Sequence, residues 1–331
     1  MPVKTKWFEA FKKELPRVEG KVFLITGTTS GTGFVAARTV AELGGEAVLL
    51  NRKSGRVEEA MARLQSAVPE GKFVDIECDL QSFDSVRRAI TEIKERYQKI
   101  YCLCNNAGIM ASPDDATGDG YDVQMQTNHL SHFLLTAELF PLLEAEAREK
   151  GDARIVNHSS LGRNLTKNKR LEEKYFGKNG GNLGGNSKTV GIRMASPNFY
   201  RYFQTKLANS VFTIGLKKRL EEKQIPIRCC CAHPGGSDTN LANGLKWDCC
   251  TGCLLPCITP YMMQTAEDGA MGILLGMIHP DAQSGVLYGP KKDGTKGPAV
   301  INPPKPWEVD PIAIEMLWRT SEEATGVKFK I

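Results

Sequence analysis

The chain has no long apolar run. Nowhere in its 331 residues is there the stretch of about 20 apolar residues that a bilayer-spanning helix needs. Residues 1–19 mix Lys and Glu with aromatics and hold no apolar h-region, so they read as a short amphipathic lead-in helix rather than a secretory signal. Charge of one sign is also scarce. A formal net charge of +5 is too small to argue for nucleic acid, and there is no interleaving of aromatic and basic residues of the kind single strands stack on. No internal repeat is apparent. Cysteine is not scarce, at ten residues, but a disulfide framework is missing. Cys229, Cys230 and Cys231 are consecutive, and Cys102 and Cys104 flank Leu103, each set inside an apolar run. Neighbouring strand residues point to opposite faces, so these thiols read as small buried hydrophobes in a reducing compartment, with the cytoplasm as the expected location.

What is present is an alternation of short apolar runs and helical stretches. Val22–Thr26, Ala47–Leu50, Lys72–Cys78, Ile100–Cys104, Arg154–Asn157 and Ile227–Ala232 read as strands, with Gly285–Tyr288 as a seventh. Helices fall between them, one to about Leu43, one from Val57 to Ala67, and one capped by Ser82. Runs apolar on both faces and separated by helices predict an α/β fold with a doubly wound, Rossmann-type parallel sheet. The expectation is a single domain over 1–331 with three interruptions. Residues 163–198, including Gly177–Asn182, are rich in Lys, Asn and Gly and read as a surface insertion that buries little. Residues 240–263 read as a substrate lid. Residues 289–331 form a C-terminal extension that is Gly- and Pro-rich until a last helix near Pro311–Thr320.

At the first strand end, Gly27, Thr29, Ser30, Gly31, Thr32 and Gly33 form a glycine loop that opens a helix. Glycines there permit a tight turn and let backbone N–H groups reach a pyrophosphate at the helix N-terminus. The second strand ends in Asn51-Arg52-Lys53. An acid there would hold a free ribose 2′-hydroxyl, whereas Arg52 suits a 2′-phosphate, so NADP(H) is the expected cofactor. Asp79 and Leu80 follow the third strand, placed to meet an adenine edge. Asn106, Ala107 and Gly108 close the fourth, where small residues let the backbone pass under a cofactor.

Tyr202 and Lys206 are four apart, on one helix face. An ammonium beside a phenol is expected to lower the phenol's pKa and make it a usable acid or base. Ser160, after the fifth strand, offers a hydroxyl to a substrate oxygen, and Asn128 is placed to complete a proton relay.

Together these motifs resemble the short-chain dehydrogenase/reductase family: the Thr26–Gly33 loop, Asn105–Gly108, Asn128, Ser160, Tyr202 with Lys206, and Pro234-Gly235 with Thr239, in family order over residues 20–290. The resemblance implies that Tyr202 exchanges a proton with the substrate oxygen and Ser160 hydrogen-bonds it. It implies that Lys206 lowers the phenol pKa and binds the nicotinamide ribose, that Asn128 anchors a relay water, and that Pro234, Gly235 and Thr239 contact the nicotinamide half. Arg52, the segment Asn128–Leu135 and Val156–Ser160 are similar to the retinol dehydrogenase and protochlorophyllide reductase branch. That branch implies an apolar carbonyl or alcohol substrate. Gly236, where protochlorophyllide enzymes tend to carry cysteine, counts against the photochemical reading.

The sequence departs from the family in the long Ser160–Tyr202 separation. Carbonyl reductases of the family carry an insertion there that obstructs the usual dimer helix, so both monomer and homodimer remain open. His158 stands where an apolar residue is usual and reads as structural. Cys249, Cys250, Cys253 and Cys257, near Trp247 and Met263, have poor spacing for zinc. The preferred reading is an apolar lid lining, with peripheral membrane contact through 241–263 also open; no metal is expected. A regulatory protein that keeps the fold without turnover is the alternative function, but it would need only the glycine loop. An extended-branch epimerase or dehydratase fits the Gly27/Gly31/Gly33 spacing less well.

Overall fold

The computed structural model describes residues 3–184, 196–237, 263–292 and 294–331. Parallel strands β1 (Val22–Thr26), β2 (Glu46–Asn51), β3 (Lys72–Glu77), β4 (Cys102–Asn105), β5 (Ala153–His158), β6 (Ile227–Ala232) and β7 (Leu287–Lys292) are joined at one edge by antiparallel β8 (Lys296–Asn302). The order in the sheet is β3-β2-β1-β4-β5-β6-β7-β8. The chain therefore winds outward from β1 in one direction and from β4 in the other, which makes the crevice between those two strands the topological switch point.

Helices cover both faces. On one side, α1 (Phe8–Lys12), α2 (Gly31–Glu42), α3 (Gly55–Ala67) and α8 (Ala266–Ile278) bury one apolar cluster. On the other, α4 (Phe83–Arg96), α6 (Ser131–Lys150), α7 (Pro197–Glu222) and α9 (Pro311–Thr325) bury a second. Local chemistry sets their ends. Ser82 accepts from the Ser85 N–H at the start of α4, whose buried face is Val86, Ala89, Ile90 and Ile93. Asp310 accepts from Ile312 N–H ahead of α9, and Gly326, at φ 68°, ends it. A single turn, α5 (Val123–Met125), runs through a π-turn at Gln126–Leu130 into α6. Such a turn inserts one extra residue per repeat and is common at functional sites.

Several expectations are corrected. The seventh strand begins two residues later than Gly285, at Leu287. The tail carries β8, which its Gly/Pro content concealed, because an edge strand tolerates residues that a central one does not. The last helix continues past Thr320 to Thr325. Within the 163–198 insertion, Leu171, Tyr175 and Phe176 are buried in the core, so three apolar side chains anchor a segment whose overall composition is polar. The lead-in helix is only five residues long. It is held by Asp268, whose carboxylate accepts the N–H groups of Lys6, Trp7 and Phe8. Of the 240–263 lid, only Met263 lies among the described residues, and the four cysteines fall outside them. Among the described residues, no helix is long and apolar enough to cross a membrane.

Four of the five histidines are buried. Burial holds His129 down to about 3, His132 to about 4, His233 to about 3, and His158 well below the ordinary value. All four are neutral in the folded protein but protonate near 6.5 when unfolded. The unfolded chain thus takes up protons first on acidification, and the stability contributed is complete above about pH 6.5 and lost as pH falls toward the folded values. Urea titrations should show unfolding free energy nearly level above about pH 6.5 and dropping, from there toward pH 4.5, by up to about 1.4 kcal/mol per pH unit for each histidine involved. A flat profile over that range would contradict the assignment.

Candidate active site

The crevice at the switch point is built by close approach. Gly27 sits at φ +72°, and a Cβ there would lie 2.9 Å from Ala107. A Cβ on Gly33 would come within 2.3 Å of the Gly27 carbonyl oxygen and 2.4 Å of Asn106 Nδ2. Only glycine lets α2 pack this tightly on the strand ends. Ser30 precedes α2 without making a side-chain cap. The helix's first-turn N–H groups, at Gly31, Thr32 and Gly33, are thus left to an acceptor at the loop mouth.

Beneath the loop lies a polar knot. Asn106 Nδ2 donates to the carbonyls of Thr26 (2.9 Å) and Gly27 (3.2 Å). Its Oδ1 accepts from Thr32 Oγ1 (2.9 Å) and His158 Nδ1 (2.8 Å). Thr26 Oγ1 accepts the N–H groups of Asn106 (3.0 Å) and Ala107 (2.9 Å). The same hydroxyl lies 2.9 Å from His132 Nε2. His132 Nδ1 donates to the Asn128 carbonyl at 3.1 Å, so its Nε2 is free to accept from Thr26. The sequence places Thr26 at the head of the glycine loop and His132 within Asn128–Leu135, but not their contact. A buried Thr–His contact between a strand end and a helix leaves no local spacing signal.

The outer cofactor positions separate into bound and open groups. Asn51 is committed to the loop: its Oδ1 accepts from Thr28 N–H and its Nδ2 donates to Thr28 Oγ1, both at 2.8 Å. Arg52 and Lys53 are exposed beside it. Asp79 Oδ1 accepts from Gln81 N–H and braces its own turn, while the Leu80 carbonyl accepts from Ser131 Oγ and ties that turn to the start of α6. Across the crevice, Gly235 has φ +66° and a Cβ there would meet the Thr295 carbonyl at 2.2 Å. The Pro234 carbonyl accepts from Ser237 Oγ and Gln264 Nε2. Thr239 lies outside the described residues.

Three candidate chemical groups meet at the end of β5. Tyr202 is buried on α7, and burial raises its phenol to about 12 while the Ser160 hydroxyl lowers it. Burial outweighs the Ser160 hydroxyl, so the phenol stands above its ordinary value. Lys206 Nζ lies 5.7 Å from the Tyr202 ring centroid and donates to the His158 carbonyl at 3.0 Å. Burial lowers Lys206 to about 8, which leaves it mostly charged at pH 7. Asn128 is a clamp. It donates to the Ile109 carbonyl and Thr205 Oγ1, both at 2.9 Å, and accepts from Ile109 N–H at 2.8 Å. A Cβ on Gly108 would lie 3.2 Å from Lys206 Nζ and 3.3 Å from Asn128 Oδ1, so these three converge. Around Tyr202 pack Met110, Ala111, Phe199, Tyr200 and Phe203, an apolar wall.

Ahead of Tyr202, Arg201 pairs with Asp122 in full burial and donates to the carbonyls of Ser112 (2.6 Å) and Gly184 (3.1 Å). This pair fastens the start of α7 to the loop before the π-turn. It was not singled out from the sequence, since a lone Arg beside a candidate Tyr reads as surface charge.

The glycine cradle, the uncapped helix end and the cations beyond β2 fit a dinucleotide phosphate group. The family model described as short chain dehydrogenase matches residues 21–168, a span that holds the loop, Asn128 and Ser160 and ends before Tyr202. An uncharacterized oxidoreductase of Schizosaccharomyces pombe is 35% identical over 230 residues, 69% of this chain and 63% of that protein, so more than a third of that relative is unmatched. A short-chain dehydrogenase/reductase of Aspergillus calidoustus is 31% identical over 83% of this chain and 86% of its own length. Retinol dehydrogenase 14 of Mus musculus is 29% identical, with coverage of 94% and 87%. A crystal structure of an uncharacterized protein from Mycobacterium paratuberculosis superposes with a TM-score of 0.73 at 30% identity, covering 97% of this chain and 98% of that one. The chain belongs to the short-chain dehydrogenase family, in its retinol dehydrogenase-like branch, a family of oxidoreductases whose fold binds a nicotinamide cofactor.

Proposed function

We propose that this chain is an NADP(H)-dependent oxidoreductase that interconverts an apolar carbonyl and its alcohol, with Tyr202 as general acid and base. The observation that carries the reading is the convergence of Tyr202, Ser160 and Lys206 at the end of β5, where Lys206 also meets Gly108 at the end of β4. The preference for NADP(H) is supported by two exposed cations, Arg52 and Lys53, beyond β2 and by the commitment of the Asn51 amide to Thr28. The apolar wall of Met110, Phe199, Tyr200 and Phe203 supports a greasy substrate.

The cofactor, when bound, supplies or accepts the hydride. The residues of the chain manage the proton and the charge. Tyr202, a phenol that is protonated at neutral pH and that burial raises further, is poised to give its proton to a carbonyl oxygen. Ser160 then hydrogen-bonds the reacting oxygen and shares in stabilising the phenolate. Lys206 keeps a positive charge beside the same ring, favouring the phenolate as it forms. Asn128 positions Ile109 and Thr205 and keeps α7 in register with the β4 end.

Steady-state kinetics on a panel of aldehydes and ketones of increasing chain length should show kcat/KM rising with apolar length. Tyr202→Phe should lower kcat by about 100- to 10,000-fold. Arg52→Ala should weaken NADPH binding, read by nicotinamide fluorescence, by about 10- to 100-fold and NADH binding far less, as loss of a charged hydrogen bond predicts. Because burial sets Lys206 at about 8, the reduction rate should decline above that pH as the ammonium is lost. Tight cofactor binding with no turnover on any carbonyl or alcohol would instead favour a regulatory protein.

A further inference from the structure

The buried ion pair between Arg163 and Glu308 is used by no step above. Its two side chains are 3% and 2% exposed, with Arg163 Nε 2.8 Å from Glu308 Oε1. The partners are 145 residues apart in sequence. Arg163 belongs to the turn after Ser160, and Glu308 to the C-terminal extension ahead of α9. Glu308 is itself braced, its Oε2 accepting the Lys305 N–H at 2.7 Å and its own N–H donating to the Lys305 carbonyl at 2.8 Å.

Taking two charges out of water is costly, and an apolar pair of similar volume often serves a fold as well or better. Stability alone therefore does not account for this pair. Its remaining bonds point to a reason. Arg163 Nη1 donates to the Ser160 carbonyl at 3.1 Å, and the Arg163 N–H donates to the same oxygen at 3.2 Å. Ser160 Oγ accepts the Gly162 N–H at 3.1 Å. Gly162 is pressed on α7, where a Cβ would lie 2.6 Å from Phe203 and 3.4 Å from the Tyr202 ring. The guanidinium also acts on His233, directly before Pro234-Gly235, where its charge opposes protonation. Arg163 thus stands between the Ser160 turn and the loop across the crevice, and Glu308 fixes where it stands.

We propose that the Arg163–Glu308 pair is a positioning device by which the C-terminal extension sets the Ser160 hydroxyl against Tyr202. Neither residue touches substrate; both act through Ser160. The proposal rests on the assignment of Ser160 and Tyr202 to the reacting centre.

The test separates positioning from folding with an apolar replacement, Arg163→Met with Glu308→Met. Glu308→Gln alone leaves a buried cation unpaired and should lower both the melting temperature and kcat. The double variant should regain the melting temperature and NADPH affinity of the wild type yet keep kcat about tenfold or more down, with KM for the carbonyl little changed, as misplacement of a reacting group requires. A double variant with full kcat would overturn the proposal. Should the double variant not fold, Arg163→Lys keeps the charge but loses the fork; it should fold with reduced kcat, and wild-type kcat there would overturn the proposal equally. A readout independent of turnover uses tyrosine labelled with carbon-13 at Cζ, the Tyr202 resonance being assigned by its loss in Tyr202→Phe. Ser160→Ala and the pair variants should shift that resonance in the same direction. If Ser160→Ala moves it and the pair variants do not, the pair does not position Ser160, whatever the enzyme turns over. If wild type turns over no carbonyl or alcohol while the resonance shifts as expected, the reaction assignment fails and the positioning stands.

Discussion

The side-chain amide of Asn106 joins four elements at one point. Through its two ends it holds the close of β1, the glycine loop, the first turn of α2 and the end of β5, while its own backbone closes β4. A parallel sheet leaves its strand ends with unpaired backbone groups, and at a switch point neighbouring connections diverge and cannot satisfy one another. A single amide with two donors and two acceptor sites meets that need without adding bulk. The crevice stays narrow where Gly27, Gly33 and Ala107 pack, and it stays in register because the amide admits one arrangement.

The same burial that makes this knot effective decides the state of every titratable group near it. His132 and His158 are kept neutral, and in neutral form each has one donor and one acceptor nitrogen, which suits a directional network. Tyr202 is kept protonated and Lys206 is brought down toward neutrality. Desolvation dominates in each case, and specific neighbours adjust the outcome. The ordering of a protonated phenol above a charged ammonium thus follows from low polarity around α7 rather than from direct contact between the two side chains.

The fold was legible in the sequence to the extent that local pattern determines it. Five strands, β2, β1, β4, β5 and β6, appear in the sequence as apolar runs because both faces of an interior parallel strand are covered, and Ile227–Ala232 is found with the bounds read from its residues; β3, at the sheet edge, was read in place although three of its six residues are exposed. β8 was not legible: it lies at the edge, carries Gly297 and Pro298, and is a strand only because β7 pairs with it. The anchoring of the insertion by Leu171, Tyr175 and Phe176 was hidden by the polar residues around them, since average composition does not report which few side chains reach a core.

The sequence by itself determined the alternation of strands and helices, the glycine loop at the first turn, the cations after β2 and the Tyr202–Lys206 spacing. Each is a short-range property, set by backbone geometry or helical period within a few residues. Only the tertiary structure decided that Thr26 meets His132, that Asn106 meets His158, that Arg201 meets Asp122 and that Arg163 meets Glu308. These partners are 52 to 145 residues apart. Their pairing is favoured by desolvation, which makes an unpartnered buried polar group costly, and desolvation exists only once the chain has folded around them.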